Sequence, residues 1–137
     1  MYKRQRFTVP DLFPFSIDLD RRIAELEENI ETNPDDAQAY FDLAFLLYFE
    51  CYWIRSAIDL VERGLELEPN NLPARGLAIK MRYRFPLVEG LPKHYEKLIE
   101  LQPENRANWR GYIWFLDHMA DDQEAANRWR KRYREAF

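Results

Sequence analysis

Cysteine and histidine are scarce: the chain has one Cys, at position 51, and two His, at 94 and 118, in 137 residues. One thiol cannot close an internal disulfide or build a cysteine metal cluster, and it favours a reducing, cytoplasmic setting. No apolar run reaches the roughly 20 residues that span a bilayer; the longest, around Phe41 to Trp53, is broken by Asp42 and Glu50. The basic start (Lys3, Arg4, Arg6) is not followed by an apolar stretch of signal-peptide length, because Pro10, Asp11 and Pro14 interrupt it. Met1 to Gln5 reads like the translation of a sequencing-adapter end and carries no functional weight. What remains is a composition of 47% hydrophobic and 32% charged residues, with an aromatic share of 15% that needs a core to hold it. One domain of this length suffices for that.

The net charge of -4 conceals two unlike halves: residues 1–70 carry 7 basic against 15 acidic side chains, residues 71–137 carry 13 against 9. The ends differ electrostatically, which suits head-to-tail association or two partner surfaces as well as a merely solvated exterior.

Punctuation gives the organisation. Asn33-Pro34-Asp35, Pro69-Asn70-Asn71 and Pro103-Glu104-Asn105 place prolines 35 and then 34 residues apart. Each follows apolar residues at helical intervals (Ile23, Leu26, Ile30; Ile58, Val61, Leu65; Tyr95, Leu98, Leu101), and proline with Asn or Asp ends one helix and caps the next. Each unit is therefore a helix pair. Seven helices are predicted near 19–33, 37–50, 54–67, 72–84, 90–101, 106–119 and 122–136. Thr8 to Ser16, with Pro10 and Pro14, is excluded as a helix, so the array begins with half a repeat. The middle unit departs most: Arg75 stands where its neighbours have an aromatic, and Pro86, Gly90 and Pro92 predict a distorted turn, with Pro92 tolerated in a first helical turn.

Residues 37–71 read Tyr40-x-x-Leu43-Ala44-x-x-Leu47, then Ala57, Leu60/Val61, Gly64 and Pro69, and residues 106–137 repeat this with Trp109, Tyr112-Ile113, Leu116, Ala125 and Trp129. This pattern resembles the tetratricopeptide repeat family over about residues 20–137, with one extra residue expected in the turn near Cys51 to Trp53. The resemblance implies an all-α fold, a right-handed superhelical stack of antiparallel helix pairs of about three and a half repeats, occupying residues 19–137 behind an extended segment, 1–18. It also implies a concave face lined by the first helix of each pair. Ala44, Ala57, Gly64, Ala78 and Ala125 would let helices approach, with Tyr40, Leu43, Trp109 and Trp129 filling the gaps.

On that geometry the inward positions are Gln38, Phe41, Phe45, Tyr48 and Phe49 in the first unit, Gly76, Lys80, Tyr83 and Arg84 in the second, and Arg110, Trp114, Asp117 and His118 in the third. Phe41, Phe45, Tyr48, Phe49, Lys80, Tyr83, Arg84, Arg110, Trp114 and His118 are the candidate partner-binding residues. A groove aromatic at one end and basic at the other suits an extended or helical peptide with apolar anchors and an acidic part. The competing reading is that Phe41, Phe45 and Phe49 simply pack against the preceding helix or the N-terminal segment. The Lys/Asn clamp of one subfamily has no counterpart, since Phe41 and Phe45 stand at its positions.

The proline-broken Phe7 to Phe15 segment is apolar, and it is expected to lie across the first helices or to be the remnant of a longer protein. Arg128, Arg130, Lys131, Arg132 and Arg134 suggest contact with phosphates or acidic protein, but a charged last helix is what a terminal repeat requires. His94 and His118 have no nucleophile or ligand set around them; Asp117, Asp121 and Asp122 read as helix caps rather than a metal site, and Cys51 as a buried thiol. The sequence thus points to a non-enzymatic, cofactor-free and metal-free cytoplasmic adaptor or scaffold for a protein or peptide, with end-to-end self-association as the alternative; nucleic-acid binding is minor and membrane binding excluded.

Overall fold

The computed structural model describes residues 17–84 and 88–137. Among them are seven α-helices and no strand: α1 (Ile17–Thr32), α2 (Ala37–Phe49), α3 (Ile54–Leu67), α4 (Leu72–Arg84), α5 (Leu91–Leu101), α6 (Arg106–His118) and α7 (Gln123–Ala136), with a 3-10 turn at Val88–Gly90. Helix bounds agree with the sequence reading to within two residues. No described helix is long and apolar enough to cross a membrane. The expectations for residues 7–16 and for Pro86 lie outside the described residues. Within α4 the chain divides into two compact units, 1–81 and 82–137.

A single turn design recurs at each proline. The backbone N–H groups of Asp36, Asn71 and Asn105 donate to the carbonyls three residues earlier, those of Asn33, Glu68 and Gln102, at 3.0, 3.2 and 3.0 Å. The same three side chains then cap the following helix, accepting from the N–H groups of Ala39, Ala74 and Ala107. Each proline carbonyl accepts from a side chain six residues on: Tyr40 Oη to Pro34 at 3.1 Å, Arg75 Nη2 to Pro69 at 2.5 Å, Trp109 Nε1 to Pro103 at 2.9 Å. The helix-stopping residue thus leaves an acceptor that the next helix satisfies, which fixes the angle at which the chain re-enters. Arg75, the apparent exception in the pattern, performs the same task with a guanidinium.

The turns inside the first and last pairs also coincide. Trp53 N–H donates to Leu47 O and Asp122 N–H to Leu116 O, both at 2.9 Å. The preceding residues, Tyr52 and Asp121, share a left-handed conformation at φ 58° and 50°. The extra residue expected near Cys51 to Trp53 therefore brings no distortion; residues 50–53 and 119–122 are equal in length and alike in bonding. The middle pair does differ, with a shorter second helix after the Val88–Gly90 turn and Pro92 in its first turn.

In the first unit α1 packs on α2 and α2 on α3; in the second, α5 packs on α6 and α6 on α7. Ile23 and Ile30 of α1, Tyr40, Leu43 and Leu47 of α2, and Ile58, Leu60 and Val61 of α3 form the first core. Leu91, His94, Phe115, Leu116 and Ala126 are the most enclosed residues of the second. Ala44, Ala57, Ala78 and Ala125 are all buried at helix contacts, as their size requires.

At Gly64 the missing side chain makes room: a Cβ there would fall inside the van der Waals envelope of the buried Phe41 ring. Gly64→Ala gains about 1 kcal/mol of helix propensity but forces an enclosed ring to move, at about 1–3 kcal/mol. We expect net destabilisation, read as a lower urea midpoint. Tyr40→Phe, which keeps the ring and removes the donor to Pro34, is expected to cost about 0.5–1.5 kcal/mol in the same measurement.

Candidate functional site

Phe41, Phe45 and Phe49 stand four residues apart along α2, one above the other on a helix face. Their fates differ because only the first meets a gap: Phe41 sinks against Gly64 and is 6% exposed, whereas Phe45 and Phe49 remain 51% and 38% exposed. The Phe45 and Phe49 rings lie 4.4 Å apart, and Tyr48 meets Phe49 edge-on at 4.7 Å while being itself buried. Lys80 Nζ stands 5.3 Å from the Phe49 ring centroid, a cation held over an aromatic face. Between α2 and the start of α4 opens a hollow of ≈ 370 Å³. Phe41 and Phe45 form one wall, Pro73, Ala74 and Leu77 the other, and Gln38, hydrogen-bonded to Asp42 at 2.8 Å, edges it.

Of the candidates in the compact unit ending at residue 81, then, Phe41, Phe45, Phe49 and Lys80 gather at one surface. Tyr48 is a core residue that supports Phe49 from behind. Sequence spacing missed Pro73 and Leu77: the family positions assign Gly76 to the inner face, yet the wall is made by its neighbours. The signal available was the apolar pair Pro73 and Leu77, four apart at the helix start.

The second unit holds the other candidates. Tyr83 is half-buried, its hydroxyl 2.7 Å from that of Tyr95, whose ring lies over the bare backbone of Gly111. Arg84 and Arg110 are exposed. Trp114 is 50% exposed and stacks on His118 with centroids 5.0 Å apart and planes at 17°, while His118 Nδ1 lies 3.0 Å from the Trp114 carbonyl. Trp114 and His118 line a hollow of ≈ 400 Å³ between α6 and α7, together with Arg110. Five of its lining residues escaped the candidate set: Ile113, Asp117, Tyr133, Arg134 and Arg130, which pairs with Asp117 across the two helices. The basic run pointed at the arginines, but not at which of them turn inward. Arg128 instead pairs with Glu124 at 3.5 Å and Arg132 lies 4.0 Å over Trp129, so both serve the helix pair itself.

The chain matches no family model and no curated protein.

Among the described residues no group of three His, Cys, Asp or Glu side chains stands close enough to hold a metal ion. Cys51 and His94 are buried, and neither opens on either hollow. What the two surfaces offer is apolar and cationic contact rather than a nucleophile with a base.

Burial pushes the Tyr95 phenol far above the ordinary tyrosine value, with its bond to Tyr83 acting in the same direction. Burial and then the Glu96 carboxylate, which accepts from Tyr112 Oη at 2.6 Å, do the same for Tyr112. A phenol whose folded pKa is raised contributes stability in full below its unfolded value of about 10, and that contribution is lost as pH rises from there through the folded values. The urea midpoint is therefore expected to hold from about pH 8 to 10 and to fall above it. Tyr112→Phe should make that fall shallower.

Proposed function

We propose that this chain is a non-catalytic interaction module of the tetratricopeptide type, whose helix pairs stack antiparallel into a right-handed superhelix and hold a segment of another protein. The observation that carries the reading is the exposed Phe45–Phe49 pair beside the hollow between α2 and α4. Two large rings left half in water on a helix whose other rings, Tyr40, Phe41 and Tyr48, are all buried lower the free energy only when something covers them. The repeated proline turns and equal helix lengths of the first and last pairs support the repeat assignment. A single buried thiol is in keeping with a cytoplasmic adaptor or scaffold.

The ligand reading follows from the walls. Phe41, Phe45 and Leu77 take an apolar side chain, and Lys80 beside Phe49 takes a carboxylate close to it, so a peptide with an apolar anchor next to an acidic residue suits this end. Arg110, Trp114 and His118 belong to the separate hollow of the last pair, whose charge suits a different occupant.

A displayed peptide library selected on the whole chain tests the proposal. Peptides recovered on the wild type should bind at micromolar strength by calorimetry, and Phe45→Ala should weaken them about tenfold or more, the loss of one anchor of roughly 1.4 kcal/mol or above. Its thermal midpoint should stay close to the wild type, because half of the ring is already in water. If the wild type and Phe45→Ala enrich the same peptides with equal affinity, the hollow is not the binding site.

A further inference from the structure

The first and last helix pairs can be compared position by position. Pro34 and Pro103, the caps Asp36 and Asn105, and the left-handed residues Tyr52 and Asp121 all stand 69 residues apart. The helices they bound have the same lengths, 13 and 14 residues. At that offset the hollow between α6 and α7 corresponds to the seam between α2 and α3, and its chemistry is inverted. Phe41, Val61 and Leu65, all buried, become Arg110, Arg130 and Arg134; buried Tyr48 becomes Asp117. Only the floor stays apolar, with Trp114 for Phe45, Ile113 for Ala44 and Tyr133 for Gly64.

Such a surface is no seat for an apolar helix, which would desolvate the arginines without pairing them. Nor is it a plain solvated cap, since Trp114 is half-exposed and lines the hollow together with Arg110, Arg130 and Arg134. Asp117 neutralises Arg130, but Arg110 and Arg134 form no ion pair among the described residues. The complement is on the same chain. Glu25, Glu28 and Glu31 run along α1 at three-residue spacing, exposed and without an ion pair among the described residues, and the last turn of α1 has no basic residue. Glu31, in that last turn, therefore adds to the negative end of the helix dipole, and the three neighbouring carboxylates repel one another, a repulsion that an external cation relieves.

We propose that the Arg110/Arg134 hollow docks the acidic face of α1 from a second copy of this chain. Glutamates 25 and 28 meet Arg110 and Arg134, and the aliphatic parts of the helix lie on Trp114. The contact rests on ion pairs between exposed side chains, each of which contributes little in water, so the association is weak and depends on charge. It forms a closed pair if both copies dock at once and an open series if they do not.

Sedimentation velocity on the whole chain, from about 10 to 300 µM, tests this at low salt and again at about 0.5 M, where screening removes contacts between exposed charges. The wild type should sediment faster as concentration rises at low salt and as a monomer at high salt. Arg110→Glu/Arg134→Glu should be monomeric, and so should Glu25→Lys/Glu28→Lys. An equimolar mixture of the two variants should regain association, because each now offers the other a complementary face; circular dichroism checks that both are folded. The proposal is overturned if the wild type is monomeric throughout, if Arg110→Glu/Arg134→Glu still associates, or if two folded variants fail to associate when mixed. If the first variant does not fold, Glu25→Lys/Glu28→Lys, which alters no residue lining the hollow, decides alone by losing or keeping association.

Discussion

A proline carbonyl caught by a side chain six residues ahead is the contact on which the rest of this structure depends. Proline stops a helix and leaves carbonyls that the helix itself cannot satisfy. Tyr40, Arg75 and Trp109 each reach back to one of them, so the next helix starts in a set direction in all three places. The donors are a phenol, a guanidinium and an indole, three groups with little in common beyond a polar hydrogen at the end of a long, stiff or extended side chain. Direction of re-entry, once fixed, determines which faces meet: Phe41 over Gly64 in one unit, Tyr95 over Gly111 in the other.

From that shared backbone the α2–α3 seam and its equivalent between α6 and α7 take opposite characters. In the first unit the seam residues are apolar and buried, leaving Phe45 and Phe49 as the exposed remainder. In the last pair the same places hold charges, with a tryptophan left among them. The scaffold therefore says little about what is recognised, and the side chains at a handful of equivalent positions say most of it.

Much of the architecture was legible in the sequence because it is punctuated. The prolines, the capping Asp and Asn residues and the apolar spacing located every described helix, and small residues marked the close approaches. The sites were harder to read. Position rules placed Phe41, Tyr48 and Phe45 together on an inner face, but whether a ring lies in or out was decided by a partner at Gly64 on another helix, which linear spacing does not encode. Arg75 looked like a lost aromatic because the position was read as a ring, when its task is hydrogen-bond donation. Arg130 and Arg134 looked like members of a uniform basic run: four residues apart, they share a helix face, but periodicity does not say which face meets α6. In the middle pair, Pro86, Gly90 and Pro92 announced an irregular turn without fixing its form.

The bonds that define the turns close loops of six residues or fewer, and within each unit consecutive helices lie side by side. A chain wired this locally has little loop entropy to overcome before its native contacts begin to reward it. Within each unit assembly can therefore start at the first completed hairpin and keep pace with synthesis, each new helix docking on one already in place. Such a molecule has short waiting times between elements and few opportunities for distant segments to pair wrongly.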